Sequence, residues 1–297
     1  KVAVKLKKIA PVAVRVNPNV DAHTHAKITT GTYDNKFGIQ FESIEAVYAR
    51  AAKLPNIRLR GLQMHIGSQL TDVEPFRQAV EKVGPLVTKL NARHGFDFFS
   101  IGGGIGIVYE DALASGDAAW WKTAAGREIL TPDLYAKTLI PLLKPLGLKI
   151  LLEPGRFMSG NAGALVTRVE YIKKTGKKNF VIVDAAMNDL ARPALYDAWH
   201  NFEAVTPNGQ KMMANIVGPV CETGDTFAMG REIDPVVAND LAIFRTAGAY
   251  GATMASTYNS RGLVPEVLVD GDKFAVVAER IAPETILAAE HVPDWLK

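Results

Sequence analysis

Hydrophobic residues in the first half of the chain follow two alternating periods. Apolar runs at Val12–Val16, Ile57–Met64, Phe96–Ile101 and Leu148–Leu152 read as strands, and the segments between them carry helical spacing. After Thr71-Asp72, a cap for the helix that follows, Phe76, Val80, Val83, Val87 and Leu90 recur at i, i+4, i+7, i+11 and i+14, and Gly95 stands where that helix should stop. Pro85 inside the pattern predicts a kink. Ile44, Val47, Tyr48 and Ala51 repeat the spacing on a shorter helix. Strand and helix in alternation predict parallel βα units, and apolar runs without polar alternation predict strands covered on both faces.

The pattern changes after Ser159. Leu165–Ile172, Phe180–Val183, Met212–Val217, Leu241–Phe244, Val267–Val269 and Phe274–Val277 are short strand-like runs divided by turn signals such as Gly176, Asn208-Gly209 and Asp270-Gly271-Asp272. Such a succession predicts an antiparallel β domain, with the boundary near Ser159-Gly160. The expected organisation is therefore an α/β unit over 1–159 and a β domain over 160–297.

Composition narrows the function more than the fold. With 297 residues, 48% of them hydrophobic, the chain buries a large core. Its formal charge of +3 is small, and the basic start from Lys1 to Lys8 reads as a solvated end, so no nucleic-acid partner is expected. The single cysteine, Cys221, excludes an intrachain disulfide and a multi-cysteine metal site. His23-Thr24-His25 lacks further ligands and reads as an exposed loop rather than a metal pair. The best apolar candidate for a membrane span is interrupted by Pro141, Lys144, Pro145 and Lys149, short of the ~20 residues required. Without a signal-peptide core at the start, the reading is a cytoplasmic protein whose partners are small molecules.

The chemistry sits at strand ends, where α/β enzymes keep it. One run ends in His65-Ile66-Gly67-Ser68, the next in Gly102-Gly103-Gly104, and a third in Glu153-Pro154-Gly155-Arg156. Together they supply an imidazole, a hydroxyl, bare glycines, an acid and a cation, which is equipment for a phosphate-bearing cofactor. Each feature also has a plain structural reading. The glycines could be a tight βα turn, and they make a poor dinucleotide fingerprint because Ile107 falls where the last glycine belongs. If a helix starts after them, their N–H groups form an anion nest. His65 could be a satisfied core histidine, Glu153 with Arg156 a salt bridge, and Cys221 a small buried hydrophobe.

His-Ile-Gly-Ser-Gln at His65–Gln69, the glycines at 102–104, Glu-Pro-Gly-Arg at Glu153–Arg156, Cys-Glu-Thr-Gly-Asp at Cys221–Asp225 and Ala-Gly-Ala-Tyr-Gly at Ala247–Gly251 occur in one order that resembles the fold-type III pyridoxal phosphate-dependent decarboxylases. The stretch from Met187 to Ala198 is similar to the branch acting on diaminopimelate rather than to the ornithine or arginine branches. The resemblance implies the C-terminal half of an alanine racemase-like (β/α)8 barrel followed by the β domain, with pyridoxal 5'-phosphate as cofactor. It implies decarboxylation of meso-2,6-diaminopimelate to L-lysine and carbon dioxide. Its alternatives are a related decarboxylase of carboxynorspermidine or another basic amino acid, and a non-catalytic cofactor-binding relative.

Residue by residue, the resemblance places the imidazole of His65 on the cofactor ring and the phosphate among Gly102, Gly103, Gly104, Ser68 and Tyr250, with Gly155 beside the cofactor. Glu153 matches the acid beside the ring nitrogen, and Arg156 offers a planar fork to a substrate carboxylate or a cofactor oxygen. Cys221 matches a cysteine that one subunit lends to the other to protonate the reacting carbon. Glu222 matches the acid on the distal amino group, Arg192 and Tyr196 hold the distal carboxylate, and Tyr250 also meets the substrate. A homodimer with shared sites follows, in which Lys36 and Asp225 match positions that pair between subunits. The family's Schiff-base lysine lies in a Lys-Ala-Asn motif that is absent from these residues, and Lys36 is a different feature. Against the eight strands of a whole barrel, the runs found predict a chain that is the C-terminal part of a longer enzyme, with on the order of 120 residues upstream.

Overall fold

The computed structural model describes residues 1–21, 30–31 and 35–296. His23-Thr24-His25 lies outside the described residues. The chain forms two compact units, Lys1–Val108 with Leu113–Met158, and Tyr109–Ala112 with Ser159–Lys297.

The first unit is built on a parallel sheet of β1 (Ala10–Asn17), β2 (Ile39–Gln40), β3 (Ile57–Met64), β4 (Phe98–Ser100) and β5 (Lys149–Leu151), in the order β2-β1-β3-β4-β5. The apolar runs predict the four longer members; β2, a pair of residues beside the end of β1, carries too little pattern to be read. Between β3 and β4 the helix Glu74–His94 buries Phe76, Val80, Val83, Val87 and Leu90, the predicted stripe, and stops at Gly95 with φ 65°. It runs through Pro85 as a single element. Burial explains this, because each apolar side chain removed from water contributes about 1.5–3 kcal/mol and several of them outweigh the roughly 3 kcal/mol cost of one interior proline. The expected cap shifts: Asp72 Oδ1 accepts from the N–H of Glu74 at 3.0 Å, while the residue at the helix boundary is Val73. A further helix, Pro132–Leu143, starts on Thr131, whose Oγ1 accepts from the N–H of Leu134 at 3.2 Å.

β1 and β3 are not in simple register. Val12 faces Leu59 but Ala13 faces Gly61, so Arg60 is an extra residue on β3. Fully buried Tyr48, from the helix Ile44–Ala51, bridges this irregularity. Its hydroxyl accepts from the N–H of Val14 at 3.3 Å and donates to the carbonyl of Gly61 at 2.5 Å. Burial pushes the phenol up to about 12.

The second unit is a six-stranded sheet of β6 (Leu165–Lys174), β7 (Asn179–Val183), β8 (Phe202–Ala204), β9 (Met212–Val217), β10 (Thr226–Ile233) and β11 (Leu241–Phe244), ordered β10-β9-β7-β6-β11-β8. Val169, Val181, Val183, Ile216, Phe227 and Phe244 fill its core. The expectation of an antiparallel domain needs one correction, because β7 and β9 run parallel. The chain between them crosses to the far edge, where β8 pairs with β11, and so re-enters the sheet in the same direction. A separate hairpin joins β12 (Glu266–Asp270) to β13 (Lys273–Ala278) through the predicted turn, with Gly271 at φ 61°. Among the described residues no helix is long and apolar enough to cross a membrane.

Candidate functional site

In the first unit the ends of β3, β4 and β5 are laced together by glycine. A Cβ on Gly102 would lie 2.4 Å from the Met64 carbonyl oxygen, one on Gly103 2.0 Å from that of Glu153, and one on Gly104 2.3 Å from that of Gly67. Gly102 and Gly104 also adopt φ of 75° and 109°. Hydrogen bonds follow the same weave: Glu153 N–H donates to the Gly102 carbonyl at 2.9 Å, and Leu70 N–H to that of Gly104 at 2.8 Å. The glycines therefore bring His65, Ser68 and Glu153 together at the C-terminal ends of the strands.

No helix begins after the triplet, which corrects the expected nest at a helix start. Gly102 N–H donates to Ser100 Oγ at 3.3 Å and Gly103 N–H to His65 Nδ1 at 3.2 Å. Among the described residues the N–H of Gly104 has no hydrogen-bond acceptor, so it alone of the three remains for an anion. The chain beyond is pinned by Gln69, whose side chain accepts from Ile107 N–H at 3.2 Å and donates to the Ile107 carbonyl at 2.7 Å.

His65 is partly buried, and its Nδ1 accepts the Gly103 hydrogen, so the ring proton resides on Nε2. Burial, reinforced by the positive charge of Arg15, holds the imidazole below its ordinary value and keeps it neutral at pH 7. Arg15 lies on β1 with Nη2 donating to the His65 carbonyl at 3.0 Å and to Thr30 Oγ1 at 3.2 Å. Glu153 is exposed and receives the Ser100 hydroxyl hydrogen on Oε1 at 2.6 Å. Arg156 is buried in the short helix Gly155–Ser159, its Nη2 donating to Ser68 Oγ at 3.1 Å. The structure brings His65, Ser68, the glycines, Glu153 and Arg156 of the expected set together at these strand ends, and Arg15, Ser100 and Gln69, which bond to them or to the segment beyond, were not among the expected site residues.

The second unit holds the remaining predicted residues. Arg192 and Tyr196 bound a short helix; Arg192 is buried and Tyr196 partly so. The guanidinium of Arg192 stands over the ring of Tyr109, 4.4 Å from its centroid. Cys221 is exposed, in contrast to the small-hydrophobe alternative. Beside it Glu222 accepts the hydroxyl hydrogen of Tyr258 on Oε2 at 2.6 Å, an arrangement that raises the phenol above its ordinary value. Tyr250 is exposed and sits at φ 61°, a left-handed conformation unusual for an aromatic residue. Its loop is fixed by glycine packing, since a Cβ on Gly248 would lie 2.0 Å from the Ser159 carbonyl oxygen.

Asp225 is buried, and its carboxylate accepts from Met187 N–H at 2.6 Å and Val220 N–H at 2.7 Å, anchoring the Cys221 loop within its own chain. Burial raises this carboxyl above the usual range. Among the described residues no group of three or more His, Cys, Asp or Glu could hold a metal ion.

The family model described as the pyridoxal-binding domain of the pyridoxal-dependent decarboxylases matches residues 1–160. The diaminopimelate decarboxylase of Zymomonas mobilis subsp. mobilis is 45% identical over 296 residues, spanning 99% of this chain and 67% of the relative. That of Neisseria meningitidis serogroup A is 48% identical over 294 residues, 98% of this chain and 68% of the relative. The crystal structure of the Helicobacter pylori diaminopimelate decarboxylase complexed with L-lysine superposes with a TM-score of 0.85 at 37% identity, covering 97% of this chain and 68% of that one. The chain thus spans about two thirds of the length of the relatives it matches. With its glycine-laced strand ends and these identities over almost every residue, the chain belongs to the pyridoxal-dependent decarboxylases, within the diaminopimelate decarboxylases.

Proposed function

We propose that this chain takes part in the decarboxylation of meso-2,6-diaminopimelate to L-lysine and carbon dioxide, with its first unit holding pyridoxal 5'-phosphate and its second recognising the substrate. The supporting observation is the convergence of His65, Ser68, Gly104, Glu153 and Arg156 at the C-terminal ends of β3, β4 and β5. These residues fit the group. Gly104 contributes an N–H without an acceptor among the described residues and Ser68 a hydroxyl, both suited to phosphate oxygens, while neutral His65 offers a flat face to an aromatic ring without adding charge.

When bound, pyridoxal phosphate supplies a conjugated ring that accepts the electron pair left at Cα as the bond to the departing carboxylate breaks. Glu153 would hold a proton on the ring nitrogen, with Ser100 fixing which carboxylate oxygen faces it. Arg156 would orient an anionic oxygen through its planar fork. Cys221, exposed on its loop, would deliver a proton to Cα. Glu222, steadied by Tyr258, would take the distal ammonium, and Arg192 with Tyr196 the distal carboxylate.

Because the substrate carries both distal groups and ornithine lacks the carboxylate, discrimination follows from the unmatched charge. The holoenzyme should favour diaminopimelate over ornithine and lysine by at least about a hundred-fold in kcat/KM. Carbon dioxide release from each substrate tests this, and comparable turnover of ornithine overturns it. We also place the enzyme in the cytoplasm as a homodimer whose subunits lend Cys221 and Glu222 to one another, in keeping with the exposure of both residues on the loop.

A further inference from the structure

His200 lies beside Arg192 in the second unit, and the two are 1% and 6% exposed. The imidazole Nδ1 is 2.9 Å from the carbonyl oxygen of Arg245, and Nε2 is 2.7 Å from Arg192 Nη1. A carbonyl oxygen can only accept, and a guanidinium can only donate. Both contacts are satisfied in a single protonation state, with the proton on Nδ1 and a lone pair at Nε2. The ring is therefore neutral, in the opposite tautomer to that of His65.

The surroundings hold this arrangement in place. The Tyr109 ring lies under the guanidinium and meets the imidazole edge-on, with centroids 5.5 Å apart. Tyr109 is carried by a segment that Asn201 secures, its Nδ2 donating to the Glu110 carbonyl at 2.7 Å. Arg231 Nη1 donates to the His200 carbonyl at 3.1 Å, and Arg245 Nε to Glu203 Oε2 at 2.6 Å. One edge of the Arg192 guanidinium and one of its faces are thus fixed by groups that carry no negative charge. A carboxylate in place of His200 would neutralise the cation; an imidazole lone pair directs it without adding a negative charge.

We propose that His200 is a positioning residue for substrate recognition, its Nε2 lone pair setting the plane of Arg192 as a preformed receptor for the distal carboxylate. This rests on the reading of Arg192 given above. A fork fixed before binding loses less freedom when the carboxylate arrives, so the effect belongs in KM rather than in kcat.

The test compares His200→Asn with His200→Gln in the holoenzyme. Asparagine keeps a donor near Nδ1 but provides nothing at Nε2, whereas the longer glutamine amide places an oxygen near Nε2. His200→Asn should raise KM for diaminopimelate about ten-fold with kcat changed less than about three-fold, and His200→Gln should recover most of the loss. Nitrogen-15 NMR of the wild-type imidazole, assigned by its absence in His200→Gln, should show the neutral Nδ1–H tautomer at neutral pH. An Nε2–H tautomer or a protonated ring overturns the proposal whether or not either variant folds. So does a wild-type KM in His200→Asn while Arg192→Ala raises KM. An unchanged KM in Arg192→Ala overturns the reading of Arg192 itself, and the proposal with it.

Discussion

Ser100 donates its hydroxyl hydrogen to Glu153 at 2.6 Å, tying the end of β4 to the turn just beyond β5. The serine is 2% exposed while the carboxylate it holds is solvent-facing, so a buried hydroxyl sets the direction of an exposed acid. Ser100→Ala should leave the fold intact and lower kcat about ten-fold, because a charge-assisted hydrogen bond that sets the carboxylate's direction is lost. Glu153→Gln, which removes the charge itself, should cost more. Steady-state kinetics on both variants check the order; equal activity of Ser100→Ala and wild type would show that Glu153 needs no orientation.

The neutral state of His65 makes stability depend on pH. In the unfolded chain an imidazole titrates near 6.5, and in the folded protein burial and Arg15 hold it lower. As acidity increases, the unfolded state therefore binds the proton first. The stability owed to the neutral ring is complete above about pH 6.5 and is lost as pH falls through the window beneath it. Comparing thermal midpoints at about pH 7.5 and about pH 5.5, the wild type should lose more than His65→Gln. An identical loss in both would show that His65 does not titrate in this window.

These two sites differ in how far the chain alone reveals them. His65, the glycine triplet and Glu153 are legible because each breaks an apolar run at its end, where a strand has no packing need for such residues. Ser100 sits inside its run and looks like an ordinary strand residue. Arg15, in Val14-Arg15-Val16, looks like the outward position of an alternating strand. Tyr109 and Tyr258 acquire roles from partners distant in sequence, and His200 from a tautomer that the carbonyl of Arg245 helps set, so no local pattern marks them; the segment carrying Tyr109 is itself secured across 91 residues by Asn201. Among the strands, β8 is too short to have a period, and β10 is broken by register shifts around Gly230, so neither displays the alternation that marks β6 or β9.

The glycines of the site should respond to substitution in opposite ways. Gly103→Ala would drive a methyl group to 2.0 Å from the Glu153 carbonyl, so the strand ends must separate. The expected destabilisation is about 1–3 kcal/mol, with loss of cofactor binding. At Gly155 a Cβ meets nothing within 4 Å, and Gly155→Ala should unfold with wild-type stability. Denaturant titration of the pair settles the matter; equal midpoints would mean that the close approach at Gly103 is readily relieved.

Tyr48 offers a test of the barrel rather than of the site. Its hydroxyl serves two backbone groups where β1 and β3 lose register. Tyr48→Phe keeps the ring and leaves both groups buried without that partner, at a cost of about 1–3 kcal/mol. The loss should appear in the urea midpoint with an unchanged slope. A midpoint within error of wild type would show that the backbone relaxes across the extra residue Arg60.

The proposed sharing of sites between subunits has a sharper consequence. A Cys221→Ala dimer and a Glu153→Ala dimer should each be nearly inactive, since each lacks one essential group in both sites. In a hybrid, the subunit with intact Glu153 meets the partner with intact Cys221, and one of the two sites is complete. Random exchange makes half of the dimers hybrid, so activity should return to about 25% of wild type. Native mass spectrometry verifies that hybrids have formed. If they have and activity stays at the level of the separate variants, each subunit completes its own site, and the exposure of Cys221 needs another explanation.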